Sequence, residues 1–385
     1  MTVKAVSIFS LAILLLCGCS KGRNMNNDFI RGFDASAVND QWNKDKYCDF
    51  DGSKKDVFEI LKNTGVNWIR LRIWNEPENP NNPEFPGASN LATVLNQASR
   101  AKAQGLKILL DFHYSDYWAD PGKQAIPQSW MECKTADEVS QKLYDWTEEV
   151  LTALKDAGTP PDMIQIGNEI NTGILTGYYE KGKLKPLSSV ISGSSTRSPD
   201  NYTKYLNSGI QAARKTCPES KIMLHVAEGG GKIDWLLDMY KDASLDYDVI
   251  GLSYYPFEKT HGTIESLSDN IKAFSKKYGK EIVVAETAHP WNTNNPNDAD
   301  LKNASANLTL KSGKIYPGIA EVNGVVQASV KNQQAVITAV AEVSRKAGAK
   351  GFFTWGGEYL GSYRYGFFTD KGKPMPSLKL FAQEN

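Results

Sequence analysis

The sequence predicts an α/β fold, a single (β/α)8 TIM barrel with long loops at its C-terminal face. Eight short apolar segments rich in β-branched residues alternate with longer amphipathic segments. Several of the short segments are almost continuously hydrophobic, which is typical of parallel strands that are buried on both faces. A length of 385 residues is compatible with one domain, because barrels of this kind often exceed the usual domain size.

Each predicted strand is followed by a predicted helix. The strands are Ile30–Val38, Trp68–Trp74, Lys107–His113, Met163–Asn168, Lys221–Ala227, Val249–Tyr255, Glu281–Thr287 and Gly351–Trp355. The helical segments are Val57–Asn63, Leu91–Gln104, Val139–Asp156, Asn201–Lys215, Ile233–Asp242, Ile264–Tyr278, Gln327–Ala347 and the short Ser377–Gln383. Glycine follows five of these helices, at the position where a left-handed residue often ends a helix: Gly65, Gly105, Gly158, Gly279 and Gly348.

A doubly wound open sheet is the alternative fold. It would normally carry a glycine-rich phosphate-binding turn after the first strand, and Phe33–Ser36 has no such pattern. The longest loops all follow strands, which places them on the C-terminal face and predicts an extended cleft there. These loops are Asn75–Asn90, Ser115–Asp137, Thr172–Pro199 and Ala288–Val326.

The composition excludes some partners. The chain has 44 Lys and Arg against 44 Asp and Glu, so it has no basic excess for a nucleic-acid backbone. Beyond the first 19 residues only Cys48, Cys133 and Cys217 remain, an odd and scattered set that predicts neither a disulfide framework nor a metal site. We therefore expect the core alone to stabilise the fold, and a monomer is the default expectation.

The first residues predict an exported lipoprotein. Lys4 precedes an apolar stretch that is too short to span a bilayer comfortably, and Leu16-Cys17-Gly18-Cys19 resembles a bacterial lipobox with Cys19 as the lipidated residue. Three parts are expected: residues 1–19 as the signal peptide through Cys19, residues 20–28 as a short tether and residues 29–385 as the catalytic domain. We expect a lipid anchor in the bacterial envelope, with the outer membrane favoured; an ordinary cleaved signal or an uncleaved anchor is the alternative.

Two glutamates end the predicted strands four and seven. Glu169 follows Ile166-Gly167-Asn168, and Glu286 follows Val284-Ala285, so both lie at the rim of the barrel mouth. A single glutamate at a strand end is usually a solvated rim residue. A pair of carboxyls is what the cleavage of a glycosidic bond requires, since one protonates the leaving oxygen while the other attacks or positions water.

The segments around these residues resemble a known family. Asn168-Glu169 and Glu286 are similar to the catalytic positions of the clan of retaining (β/α)8 glycosidases. The longer segments resemble glycoside hydrolase family 53, the arabinogalactan endo-β-1,4-galactanases, from about Phe29 to Phe381. They are Phe29–Ser36, Gly65–Trp74, Leu110–Gln124, Ile164–Asn171 and Val249–Pro256, among which the string Asp-Phe-His-Tyr-Ser-Asp-Tyr-Trp-Ala-Asp-Pro is the most specific.

The resemblance implies a role for each matching residue. Glu169 would be the acid/base, Asn168 would bind the sugar 2-hydroxyl and Glu286 would be the nucleophile. Arg72 would hold Glu286 ionised, and Tyr254 would donate a hydrogen bond to it.

Further residues of the same face are implied to contact the sugar. His113 would hydrogen-bond hydroxyls near the cleaved bond, and Trp355 would lie beneath the sugar in the −1 site. Three more side chains would shape the cleft, namely Asp116, Trp118 and His225. Ordinary ion pairing or packing is the competing interpretation for Arg72, the two histidines and Trp355.

The loop after strand seven is the expected place of a calcium ion. The resemblance implies a calcium loop of the type Asp-x-Asp-x-His-x-Asn there in bacterial members, with oxygen ligands that suit a hard cation. This chain keeps Asp298 and Asp300, but Lys302 replaces the histidine and Asn303 is out of register. Calcium bound by Asp298, Asp300 and Asn303 is thus an expectation that competes with a solvated loop, and no organic cofactor is implied.

Taken with its resemblance, the sequence predicts an endo-acting glycosidase for β-1,4-galactan and type I arabinogalactan, the side chains of pectin. Another retaining glycanase of the same clan, such as a mannanase, xylanase or glucanase, is the first alternative, because the catalytic pair does not distinguish these substrates. The second alternative is a surface lipoprotein that binds glycans without cleaving them.

Overall fold

The computed structural model of the chain describes residues 29–40, 43–78, 88–293 and 298–382. The predicted signal peptide, Cys19 and the tether lie outside the described residues. Within the described residues, no helix is both long and apolar enough to cross a membrane.

Eight parallel strands close into one barrel, which confirms the predicted fold class. Each strand pairs with the next, and the last pairs with the first. The strands are β1 (Ile30–Asp34), β2 (Trp68–Ile73), β3 (Lys107–Phe112), β4 (Met163–Ile166), β5 (Lys221–Val226), β6 (Val249–Ser253), β7 (Glu281–Thr287) and β8 (Gly351–Thr354). All eight predicted strands are present, and seven of them end one to four residues earlier than predicted.

Helices surround the barrel. They are α1 (Val57–Asn63), α2 (Leu91–Ala103), α3 (Ala136–Asp156), α4 (Pro199–Thr216), α5 (Asp234–Asp242), α6 (Ile264–Tyr278), α7 (Ala299–Leu308) and α8 (Val330–Ala347). All five glycines that were predicted to follow helices have a positive φ, and Gly279 and Gly348 directly end α6 and α8 with φ of 66° and 101°. The last predicted helix is a 3-10 helix, Pro376–Phe381.

Helix α7 lies within a segment that was predicted to be a loop. The segment is rich in Asn, Asp and Ser, residue types that favour turns. A weak helical signal was present, because Leu301, Ala304 and Leu308 are spaced for one face and are buried. Asp298 begins the helix by accepting a hydrogen bond from the Asp300 amide.

Alternation along the strands divides the core into two parts. On β2, Ile69, Leu71 and Ile73 point outward and pack under the helices, whereas Trp68 belongs to a second cluster inside the barrel. That inner cluster is apolar and consists of Ile30, Trp68, Leu109, Met163, Met223, Val249, Val283, Ala285 and Phe353. Toward the mouth the buried side chains on the same strands become polar, so the barrel carries a buried polar network over an apolar floor. Cys48, Cys133 and Cys217 are free thiols.

Candidate active site

A cavity of about 730 Å³ opens at the mouth of the barrel, where the carboxyl ends of the strands meet. Its lining includes both predicted glutamates. Aromatic rings form most of its walls, and the charged lining consists of three basic and five acidic side chains. The aromatic residues are Tyr117, Trp118, Tyr255, Phe257, Trp355, Tyr359, Tyr363 and Tyr365.

Glu286 reaches this cavity because β7 is irregular. Simple alternation after Val283 and Ala285, which both lie inside the barrel, would point Glu286 outward. The pairing of β7 shifts register at this point against both neighbouring strands, and such a bulge reorients the side chains beyond it. Glu286 is 5% exposed. Its two oxygens contact Arg70 Nη1 at 2.8 Å and Tyr255 Oη at 2.6 Å.

Arg70 is the cation that contacts Glu286. Its guanidinium lies inside the barrel and is 1% exposed. Besides Glu286, it contacts Asp34 Oδ2 at 3.0 Å and Asp111 Oδ2 at 2.8 Å, and it donates to Asn168 Oδ1 at 2.7 Å. An unpaired charge inside a protein is costly in free energy. The buried guanidinium and the carboxylates around it therefore stabilise one another.

The predicted role of Arg72 was therefore wrong. Arg72 points inward on the same strand but lies one layer nearer the mouth, where it donates to Ser89 Oγ at 3.1 Å. Its guanidinium stacks 4.0 Å from the centre of the Trp118 ring and 4.7 Å from that of Trp74. Trp118 lines the cavity, so Arg72 supports the aromatic wall by stacking on this ring.

The predicted role of Tyr254 was wrong by one residue. The Tyr254 side chain is fully buried and donates to the Gly262 carbonyl at 3.3 Å, away from the cavity. Tyr255 lies on the cavity and donates to Glu286. Alternation gave the signal for this position, since Ser253 points into the barrel and the second residue after it shares its face. Burial and the Glu286 charge raise the pKa of Tyr255, so the phenol stays protonated and remains a donor.

Glu169 occupies a strained backbone position. It has φ of 47° and ψ of 54°, the left-handed region that residues other than glycine seldom adopt. Strain of this kind persists where surrounding contacts hold it, and it is frequent at catalytic residues. The half-buried Glu169 side chain faces the cavity, where Oε1 lies 2.5 Å from Ser253 Oγ.

Ser253 and His225 connect Glu169 to the buried network. His225 Nε2 lies 2.9 Å from Ser253 Oγ, and its Nδ1 lies 2.9 Å from Asn168 Oδ1. When Glu169 is ionised, Ser253 donates to it and accepts from Nε2–H, while Nδ1 accepts from Gln165 Nε2 at 3.1 Å. When Glu169 is protonated, its carboxyl can donate to Ser253 Oγ, because a hydroxyl oxygen accepts as well as donates. Burial lowers the pKa of His225, and a neutral ring can adopt either tautomer.

The surroundings separate the two carboxyls electrostatically. Burial and the neighbouring Glu286 charge raise the pKa of Glu169, and only the Ser253 hydrogen bond and the more distant Arg70 charge oppose this. Burial also raises the pKa of Glu286, but the Arg70 charge and the Tyr255 hydrogen bond act against it. Because Arg70 contacts Glu286 and not Glu169, Glu169 is the carboxyl that keeps its proton.

His113 lies at the cavity, but its ring nitrogens already have protein partners. Nδ1 accepts from Trp74 Nε1 at 3.2 Å and from the Ala119 amide at 3.0 Å, and Nε2 contacts Asp111 Oδ2 at 3.1 Å. Burial lowers the pKa of His113, so the ring is neutral and Nε2–H donates to Asp111. Neither ring nitrogen of His113 is therefore free for the predicted hydrogen bond to a sugar hydroxyl.

Asp116 connects two loops and does not line the cavity. Its carboxylate accepts from the Glu76 amide at 3.0 Å and from the Gln128 amide at 2.9 Å. The predicted contribution of Asp116 to the cleft is thus indirect. Asn168, Trp118 and Trp355 do line the cavity as predicted. Trp355 meets Trp118 edge to face with ring centres 6.1 Å apart.

The predicted calcium ligands contact an arginine. Arg364 Nη2 lies 2.9 Å from Asp298 Oδ2, and Nη1 lies 3.1 Å from Asp300 Oδ2. Asn303 lies further along α7. Among the described residues, no three His, Cys, Asp or Glu side chains are grouped as a metal would require. The donor set that the described residues show does not fit calcium, because both carboxylates already contact Arg364 and share its positive charge.

The geometry suits acid-assisted displacement at an acetal carbon. One side of the cavity offers a carboxylate held by a cation and a phenol, and the other offers a carboxyl that retains its proton. The aromatic walls provide the apolar surfaces on which sugar rings pack.

The profile of Glycosyl hydrolase family 53 matches residues 30–385 of the chain. The endo-beta-1,4-galactanase of Bacillus subtilis is 34% identical over 339 residues, which are 87% of this chain and 71% of that protein. The arabinogalactan endo-beta-1,4-galactanase of Cellvibrio japonicus is 30% identical over 92% of this chain and 86% of its own length.

Solved structures are similar as well. The family 53 catalytic domain of Ignisphaera aggregans superposes with a TM-score of 0.75 at 30% identity, covering 92% of this chain and 95% of its own. A fungal beta-1,4-galactanase superposes with a TM-score of 0.72 at 28% identity and covers 91% of this chain and 98% of its own.

Proposed function

The chain belongs to glycosyl hydrolase family 53, and from that premise we propose that it hydrolyses β-1,4-galactosidic bonds within galactan and type I arabinogalactan, with retention of configuration. The observation that carries the proposal is the different surroundings of the two glutamates. Arg70 contacts Glu286 but not Glu169. A binding protein without catalysis has no use for that asymmetry.

The mechanism follows from the protonation states. Glu286 attacks the anomeric carbon while Glu169 transfers its proton to the leaving oxygen, which gives a galactosyl ester on Glu286 and a free sugar hydroxyl. Glu169, now ionised, removes a proton from water, and the water cleaves the ester with a second inversion. Ser253 is the hydrogen-bond partner of the Glu169 carboxyl, and His225 in turn contacts Ser253.

Reducing-end release on linear β-1,4-galactan, beside mannan, xylan and cellulose, tests the substrate class. We expect turnover of galactan alone, and Glu286→Ala should abolish it. Turnover of another glycan without turnover of galactan would contradict the proposed substrate but not the proposed roles of the two glutamates.

Rescue by azide assigns the two glutamates separately. On an activated aryl galactoside, Glu286→Ala with azide should give the galactosyl azide of inverted configuration, because azide takes the place of the nucleophile. Glu169→Ala should give the azide of retained configuration, because the ester on Glu286 still forms. Exchange of these two products would reverse the assignment.

We further propose that the protein is exported and anchored by lipid at Cys19, as a monomer on the bacterial outer membrane. The lipobox sequence supports this proposal. Metabolic labelling with a radioactive fatty acid should label the wild-type chain and not Cys19→Ser. Label in both chains, or in neither, would contradict the anchor.

A further inference from the structure

The end of the barrel opposite the mouth carries a basic concavity of about 1360 Å³. Here the strands begin and the helices end. Seven basic and three acidic side chains line it, whereas three basic and five acidic side chains line the mouth. The whole chain has a formal charge of zero, so its charge is separated along the barrel axis.

Several of these lysines have no acidic partner within the part of the chain that the structure describes. Lys102 pairs with Asp162 at 2.7 Å, and Lys221 pairs with Glu281. Four others are exposed and form no ion pair with a carboxylate of the described residues. They are Lys62, Lys107, Lys155 and Lys350, and we call them the basic face.

The basic face is also where the chain enters the barrel. Phe29 directly precedes β1, and Ile30 and Arg31 line the concavity. Residues 20–28 separate Phe29 from Cys19, and nine residues span at most about 30 Å even when they are fully extended. An anchor at Cys19 would therefore keep Phe29, and with it this end of the barrel, within about that distance of the lipid.

We propose that the basic face docks on the phosphate groups of anionic lipids in the membrane that carries the anchor. The proposal rests on the lipid anchor proposed above. Clustered lysines near a membrane surface are attracted by anionic headgroups, whereas the acid-rich mouth is repelled. Docking in this sense orients the cavity away from the membrane, toward polysaccharide outside the cell.

A second role for two of the lysines must be separated from docking. Lys62 and Lys155 lie in the last turns of α1 and α3, where a positive charge also stabilises the helix terminus. Lys107 begins β3 and Lys350 directly precedes β8, so neither caps a helix in this way. A structural role alone would lower the unfolding temperature without any dependence on lipid.

Vesicle binding by the chain from Ser20 onward tests the proposal. The barrel closes within residues 29–382, so this chain contains the whole described fold and lacks only the acylated residue and signal peptide. We expect it to sediment with vesicles that contain phosphatidylglycerol, not with phosphatidylcholine vesicles, and to be released by salt. Replacing all four lysines of the basic face by Gln should weaken binding at least about tenfold.

The matched control replaces four exposed lysines in the β4–α4, β5–α5 and β7–α8 connections, which changes the net charge equally. They are Lys181, Lys183, Lys232 and Lys314. This control should bind like the wild type, and both variants should keep galactan hydrolysis and the unfolding temperature. The pair Lys107→Gln/Lys350→Gln repeats the test without altering a helix terminus, in case the fourfold variant is unstable.

Three outcomes would overturn the docking proposal: equal binding to both kinds of vesicle, equal loss in the variant and its control, or retention by polygalacturonate in place of vesicles. The assay uses an unacylated chain, so it does not depend on lipidation at Cys19 or on catalysis. Absence of label at Cys19 would contradict the lipid anchor. Absence of vesicle binding would contradict only the docking of the basic face.

Discussion

At the scale of single residues, the function of each glutamate depends on its immediate contacts. Glu286 is stabilised as an anion by a guanidinium at 2.8 Å, and Glu169 has a hydroxyl at 2.5 Å as its nearest partner. Activity therefore requires a pH above the pKa of Glu286 and below that of Glu169. The acid limb of the pH profile reports the first group and the alkaline limb the second.

Replacement of Arg70 by Lys should remove most of the activity. A lysine keeps one charge but cannot contact Glu286, Asp34 and Asp111 together, as the forked guanidinium does. We expect kcat to fall about 100-fold or more. The acid limb of kcat/KM against pH should move to higher pH, because the pKa of Glu286 rises when its cation is withdrawn.

Arg72→Lys is the matched control for that variant, two residues away on the same strand. It leaves the contacts of Glu286 intact and weakens the stacking on Trp118. We expect a higher KM with an unshifted acid limb. If the acid limb shifted in Arg72→Lys and not in Arg70→Lys, Arg72 would be the residue that stabilises ionised Glu286.

Ser253→Ala should change the alkaline limb instead. The hydroxyl donates to ionised Glu169 and so lowers its pKa, which means that its removal raises the pKa. Since Glu169 must be protonated to act as the acid, activity should persist to higher pH. Loss of one hydrogen bond to a charged group should also cost about tenfold in kcat. An alkaline limb that stays in place would show that Ser253 only packs against Glu169.

At the scale of elements, the sequence predicted the barrel well because strand patterns repeat eight times and errors in one do not affect the others. It predicted the position of both glutamates from the ends of apolar runs. It did not predict the β7 bulge or the left-handed backbone at Glu169, since these arise from pairing with neighbouring strands and from buried contacts.

The errors over Arg70 and Tyr255 have a related cause. Arg70 and Arg72 share the inward face of β2, so alternation does not distinguish them. Their depth in the barrel does, because only the deeper Arg70 contacts Glu286. For Tyr255, alternation along the strand indicates the inward face, whereas the role that the resemblance implies was assigned to Tyr254.

The loop that leads into α7 gives a prediction about metal dependence. Arg364 bridges Asp298 and Asp300, so we expect calcium and EDTA to leave the unfolding temperature of the wild type unchanged. Arg364→Ala should lower it by about 1–2 °C, because the ion pairs are partly exposed and worth about 1 kcal/mol. Differential scanning calorimetry with and without EDTA measures both effects. Stabilisation of the wild type by calcium would show that the expected ion is bound after all.

At the scale of the whole molecule, the barrel separates catalysis from charge-driven contacts. The mouth has a cavity with aromatic walls that Glu169 and Glu286 line, and the opposite end has exposed lysines without an acidic partner among the described residues. Galactan is uncharged, so the first end needs no long-range electrostatic attraction to its substrate. The two ends should consequently differ in their response to salt: docking of the basic face should weaken, whereas hydrolysis at the mouth should not.

Galactan hydrolysis should be nearly independent of ionic strength. Salt screens exposed charges, whereas Arg70 and Glu286 are buried in contact with each other and are screened much less. We expect kcat/KM on linear galactan to change less than about twofold up to 1 M salt, over which the Debye length shrinks to about 3 Å. The four-lysine variant of the basic face should give the same flat profile. A steep fall with salt would mean that exposed charges contact the substrate, and an acidic glycan would then be favoured over neutral galactan.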